Sequence, residues 1–139
     1  MLSLEMIGYF TDNPNSQDFP SEELKAIYPS VGNFISVVGN ERVLTECIAT
    51  AMREQVGLSV HHLISPADLT GIAFSDHLSY WRAGYPAVMI TDTAFFRNKN
   101  YHTAGDLAST LDYQRMSKVI ESVLRVIRKL DTGCTLISK

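Results

Sequence analysis

S-D-H-L-S-Y-W-R-A-G-Y-P-A-V-M-I-T-D-T-A-F-F-R-N-K-N-Y-H-T-A-G-D-L-A-S-T-L-D-Y, residues 75–113, is the stretch on which the fold turns. It holds three polar clusters, Ser75-Asp76-His77, Thr91-Asp92-Thr93 and Tyr101-His102-Thr103, set around a short apolar run at residues 87–90. Pro86 precedes the run and polar residues follow it, the pattern of a buried strand that delivers polar groups at its end. In open α/β sheets, ligands gather where strands give way to loops. Candidate chemistry therefore belongs here. Ser75 is placed to cap a helix that runs to Ala83 and stops at Gly84, with Asp76 and His77 in its first turn. There Asp76 also has a purely structural reading, as a favourable charge on the helix dipole. Residues 91–106 read as a long polar loop, and such loops in compact domains are usually functional or mobile.

Outward from this stretch, strand and helix signals alternate. Residues 2–10 are apolar enough for a strand, with Glu5 the odd member. A buried carboxylate is costly unless paired or bound to a metal, whereas an edge strand would let Glu5 face water. The pattern alone leaves both open. Ser21 caps a short helix over residues 22–28, ended by Pro29. Residues 33–38 form a β-rich run closed by Gly39. Asn40 caps a second helix whose apolar stripe includes Cys47, and Gly57 stops it. Residues 58–64 are the next strand; His61 and His62 within it point to opposite faces, one packed and one solvated. Asp112 caps the last helix, with Met116, Val119, Ile120, Val123, Val126, Ile127 and Leu130 as its buried stripe. The tail from Thr132 on is expected to fray. This alternation predicts an α/β protein: three layers, α/β/α, around a mixed, mostly parallel sheet.

Composition narrows the function classes. The 139 residues fit a single domain with a sizeable core, at 45% hydrophobic and 19% charged. A net charge of −3 leaves no basic footprint for nucleic acid or an anionic membrane. No run approaches the roughly 20 apolar residues of a bilayer span, and the first residues lack the basic start of a signal peptide, so the default location is cytoplasmic. Cys47 and Cys134 are too few and too far apart for a disulfide framework; Cys47 is expected in the core.

L-E-M-I-G-Y (residues 4–9), S-D-H-L-S-Y-W-R-A-G-Y-P-A-V-M-I-T-D-T (75–93) and R-N-K-N-Y-H-T-A-G-D (97–106) together, in this order, resemble the second half of the zinc-dependent aminopeptidases of clan MH. These are α/β/α exopeptidases with two adjacent zinc ions, related in fold to glutaminyl cyclases. The resemblance implies roles for specific residues. Glu5 falls where the family places an acidic ligand of the first zinc, usually Asp, and His102 matches the histidine ligand of the second. Asp76 and His77 match a segment beside the pocket that orients neighbouring groups. Asp92 and Tyr101 fall at wall or supporting positions, which fix a ligand's orientation. Asp106-Leu107 departs from the family's frequent Asp-Thr. Imidazole and carboxylate suit zinc, whose open position holds the attacking water.

The family's first histidine, its bridging aspartate and its Glu-Glu pair lie upstream of the L-E-M-I-G-Y strand, and none has a match here. The resemblance thus implies one donor per zinc, and an aminopeptidase-like unit that is catalytically inactive alone. Three alternatives stand beside it. One is an active zinc aminopeptidase, cleaving at a peptide N-terminus, completed by a partner chain or further sequence. Another is a non-catalytic oligomerisation or binding module. The third is a glutaminyl cyclase-like enzyme. An uncovered sheet edge further predicts a homo-oligomer, a dimer closed by strand pairing or helix packing.

Overall fold

The computed structural model describes residues 1–131. Thr132 onward, including Cys134 and the expected fraying, lies outside the described residues. In chain order the elements are β1 (Leu2–Glu5), α1 (Glu22–Ile27), β2 (Phe34–Gly39), α2 (Arg42–Arg53), β3 (Ser59–Ile64), α3 (His77–Arg82), β4 (Val88–Thr91) and α4 (Tyr113–Asp131), with 3-10 turns at Ala94–Phe96 and Ala108–Thr110.

The strands form one sheet in the order β1-β4-β2-β3. β1 runs parallel to β4, β2 parallel to β3, and the two pairs meet antiparallel where β2 faces β4. The mixed, mostly parallel α/β sheet read from the sequence is the sheet observed. Side-chain alternation then sorts the strands' residues to two faces. Ile35, Val37, Val60, Val88 and Ile90 turn toward α2 and α4, where Ile48, Met52, Val119, Val123 and Val126 complete the main core. Val38 and Met89 turn the other way, with Ile72, Leu63, Leu69 and Trp81. β2 is buried along its whole length because it is central and covered on both sides.

Several local expectations change. β1 ends at Glu5, because Met6 takes a positive φ of 50° and turns the chain out of the sheet. The N-cap of α2 is Glu41, not Asn40: its carboxylate accepts the Val43 and Leu44 amides at 2.9 and 2.7 Å. At α3 the cap position is Asp76 rather than Ser75, and Asp76 makes no side-chain cap bond. Ser75 instead meets Ser3 Oγ at 2.7 Å, tying α3 to β1. Asp112 does cap α4, accepting the Arg115 amide at 2.9 Å. On α4, Ile120 and Ile127 are exposed rather than part of the buried stripe. Cys47 is buried on α2 as expected, yet disulfide-bonded rather than free. No helix among the described residues is long and apolar enough to cross a membrane.

His61 and His62 do divide between faces. His61 packs edge-on to Tyr28 and Phe34, while His62 Nδ1 accepts from Arg53 Nη2 at 2.8 Å.

Candidate functional site

Because β1 and β4 run parallel, their C-terminal ends arrive together, with Glu5 opposite Thr91. β2 runs the other way and lays Ser36 against Thr91. One sheet end therefore collects Glu5, Thr91 and Ser36 on the face away from α2 and α4. A cavity of about 80 Å³ opens on that face. Its lining is mostly apolar, with Tyr28, Phe34, Val38, Ile72, Met89 and Phe95 among it, and Glu5 and Tyr101 also reach it.

The backbone beside this sheet end is bent hard. Thr93, Ala94 and His102 join Met6 at positive φ, 78°, 48° and 58° for the first three named. Non-glycine residues adopt that region only when their surroundings fix them. Asp92 is what fixes the first part. It is fully buried, and its Oδ2 accepts the Gly8 and Tyr9 amides at 3.0 and 2.7 Å while Oδ1 accepts Ala94 N at 3.0 Å. Its own amide donates to Met6 O at 2.6 Å. Burial pushes the Asp92 carboxyl up, against the pull of these amides and of Arg97. Asp92 does not line the cavity. It clamps the turn after β1 onto the turn after β4.

His77 is fully buried at the start of α3, with Nε2 donating to Ile72 O at 2.7 Å and its ring edge-on to Trp81 at 4.5 Å. Its Nδ1 has no hydrogen-bond partner among the described residues. Burial pushes this imidazole below its ordinary value; the Ile72 carbonyl, then Glu5 and Asp76, push it back up. Asp76 itself is exposed. Tyr101 carries the corner of the site. Its ring stacks on His102 at 3.9 Å and 15°. Burial raises its phenol above the usual value, with Glu5 and Asp106 adding to the rise. His102 is exposed on the outer side of that ring.

The structure thus brings Glu5, Tyr101 and His102 to one corner, buries His77 within electrostatic reach of Glu5, and turns Asp92 inward to the backbone. It does not assemble a metal centre from them. Among the described residues there is no group of three or more His, Cys, Asp or Glu able to hold a metal ion, whereas a catalytic zinc takes about three protein ligands. The residues present do not fit a zinc pair on their own.

Two residues that shape the site were given no role of their own from the sequence. Arg97 is 3% exposed, and its guanidinium donates through Nε to Gln17 Oε1 at 2.9 Å and through Nη1 to Tyr9 O and Phe34 O at 3.1 and 2.9 Å. It lies 4.7 Å over the Phe34 ring. Burial lowers it to about 10, which leaves it charged at neutral pH. Gln17, also buried, pairs with Thr93 Oγ1, so loop 11–20 is sewn to the turn after β4 and supplies one wall of the cavity. Gly32 makes room for Arg97, since a Cβ there would stand 2.7 Å from Nε. Nothing in the composition of residues 11–20 distinguishes Gln17 from its neighbours. The R-N-K-N run does carry a signal: Asn98, also buried, bonds Asp106 and Asn100, folding the loop on itself.

An α/β sheet with an apolar cavity and an acid at its strand ends has room for a small ligand where strands give way to loops. Residues 3–127 match the model of Peptidase family M28, and the chain belongs to that family. It is 43% identical over 129 residues to the "Uncharacterized protein YfbL" of Escherichia coli (strain K12), a match covering 91% of this chain and 40% of the relative. It is 45% identical over 47 residues to a "Probable leucine aminopeptidase" of Arthroderma otae, covering 33% of this chain and 13% of that protein. In fold it is similar to the LapA aminopeptidase of Legionella pneumophila, with a TM-score of 0.67 at 19% identity over 96% of this chain and 31% of LapA. LapB from the same organism gives a TM-score of 0.62 at 18% identity, over 93% of this chain and 31% of LapB. The chain thus spans well under half the length of these relatives.

Proposed function

We propose that this chain is a peptidase-like unit that contributes part of a zinc aminopeptidase site. It supplies the apolar pocket for a peptide's N-terminal side chain, with Glu5 and His102 as its two metal donors, and it neither holds zinc nor cleaves peptides alone. The observation that carries this reading is the corner at the ends of β1 and β4. There Glu5 and Tyr101 share the cavity, and His102 is stacked on the Tyr101 ring. Membership of family M28 supplies the reaction class. A positively charged peptide amine suits the carboxylate of Glu5, and an apolar side chain suits the lining around Phe34, Met89 and Phe95. With the donor set below three, no hydrolytic step is derived through zinc.

The second reading is an active enzyme once further donors are supplied beside Glu5, by added sequence or another chain. A non-catalytic binding module and a glutaminyl cyclase-like activity have no separate observation in their favour. The test is metal content by mass spectrometry after zinc loading and dialysis, run beside an aminoacyl anilide assay. The expected result is no stoichiometric zinc and no anilide released. One zinc or more per chain, lost in His102→Ala, would overturn the claim that this chain holds none. Zinc-dependent release would overturn its inactivity.

A further inference from the structure

A second cleft lies at the opposite end of the sheet from Glu5. β2 and β3 run parallel and finish side by side at Gly39 and Ile64, against the start of β4. From there the chain departs to opposite faces. β2 leads into α2, whose Ile48 and Met52 join the main core with α4. β3 leads through residues 65–76 to α3, whose Trp81 packs with Val38 and Met89 on the other face. Adjacent parallel strands whose connections part in this way leave a crevice outside their carboxyl ends, where open α/β sheets bind ligands. The cleft here has a volume of about 700 Å³, within the range of small-molecule sites.

Its lining is amphipathic. Ile64, Leu78 and the half-buried Trp81 give an apolar wall, and Asn40, Ser65 and Arg82 give the polar groups. Trp81 is held by its own Nε1, which donates to Ala87 O at 2.8 Å, and by edge-on contact with the buried His77 ring. Ser65 Oγ donates its proton to Pro66 O at 3.1 Å and is left as an acceptor. Arg82 and the Asn40 side-chain amide have no hydrogen-bond or ion-pair partner among the described residues. Asn40 is spare because Glu41 takes the cap of α2. The charge in this lining is therefore positive and unpaired, with an amide, an acceptor and an aromatic ring in the same cleft.

We propose that this cleft is a second binding site, for a small apolar carboxylate. The carboxylate takes paired N–H donors from the Arg82 guanidinium and a further one from Asn40. The apolar body lies against Trp81 and Leu78, and an N–H on that body meets Ser65 Oγ. A single guanidinium suits one negative charge better than a phosphate dianion. A free acylated amino acid and the C-terminal residue of a peptide both carry this chemistry. The site needs neither zinc nor the cavity beside Glu5, so it stands or falls apart from the half-site reading.

Trp81 is the chain's single tryptophan, so its fluorescence reports on this cleft. The full chain is titrated with N-acetyl-L-phenylalanine, with its carboxamide, and with an acetylated Ala-Ala-Phe peptide acid. The expected result is a saturable change with the free acid, half-complete at about 1 mM or below, as suits a ligand this small. The carboxamide, equal in shape but uncharged, binds at least tenfold more weakly. Arg82→Gln, at an exposed position, weakens the acid at least tenfold and abolishes its advantage over the carboxamide, with circular dichroism unchanged. Lys25→Gln, which removes an exposed cation on α1, leaves the titration as in the parent. Whichever acid binds tighter tells a peptide end from a free acid, and either upholds the site. No saturable change at ten times that concentration overturns it. So do equal affinities for acid and carboxamide, or an Arg82→Gln variant that binds as the parent does.

Discussion

Replacing Arg97 tests whether a buried guanidinium, and not merely a buried positive charge, holds the cavity wall in place. Its donors serve three acceptors on three separate segments: Gln17 Oε1, Tyr9 O and Phe34 O. Hydrogen bonds to a charged group are worth about 1.5–3 kcal/mol each. They do not add, because removing the guanidinium also removes a desolvated charge. A net loss of about 3–5 kcal/mol is expected for Arg97→Met, in the range for breaking a buried charged network. For a chain of this size that is a fall in Tm of about 10–20 °C. Arg97→Lys is the decisive variant. An ammonium keeps the charge near Asp92 but cannot reach all three acceptors from one point or stack flat on Phe34. It should lose at least half as much as the methionine variant. Urea unfolding followed by far-UV circular dichroism measures both. A lysine variant within about 0.5 kcal/mol of the parent would refute the fork geometry as the cause.

Gly32→Ala should destabilise by about 1–3 kcal/mol through the same contact, since its Cβ would meet Arg97 Nε, Cδ and Cγ at 2.7, 2.8 and 2.9 Å; thermal melts decide it. His61, His62 and His77 are each pushed down by burial. Their folded values lie below the unfolded one, so the unfolded chain binds more protons between the two. Stability should be full above about pH 6.5 and fall as pH drops toward the folded values, with a shallower fall in His77→Gln by urea titration. Asp92, pushed up, has the opposite sign: its contribution declines as pH rises from its unfolded value through its folded one. Asp92→Asn should remove that slope and cost about 1.5–3 kcal/mol, as the new amide opposes the Ala94 or the Gly8 and Tyr9 donors.

What the sequence yielded and what it withheld follow from the range of the forces involved. Apolar periodicity and end signals found the strands and main helices, because both are written in neighbouring residues. Asp112 could be read as a cap for the same reason: its bond to Arg115 is three residues away. Ser75 could not, because its hydroxyl is taken by Ser3, 72 residues distant. The β1 boundary failed similarly. Residues 6–10 are apolar enough to continue a strand, yet Asp92 captures their amides from the far side of the chain. On α4, helical spacing could not say how wide the buried stripe is; that depends on what lies beside the sheet, and Ile120 and Ile127 came out exposed. At the site, motif resemblance drew attention to Glu5 and His102; Glu5 lines the cavity with Tyr101, and His102 stacks on that ring. Gln17 was invisible, since a buried glutamine in a polar loop leaves no local trace.

The pairing of β1 with β4 also sets an order of events during synthesis. Leu2 meets Val88, so β1 emerges from the ribosome with this mate 86 residues behind it. At about 5–20 residues per second, that is a wait of about 4–17 s. Through that interval β2, α2 and β3 can close their own local unit, while the β4-facing side of β1 waits for its mate and stays open to chaperones.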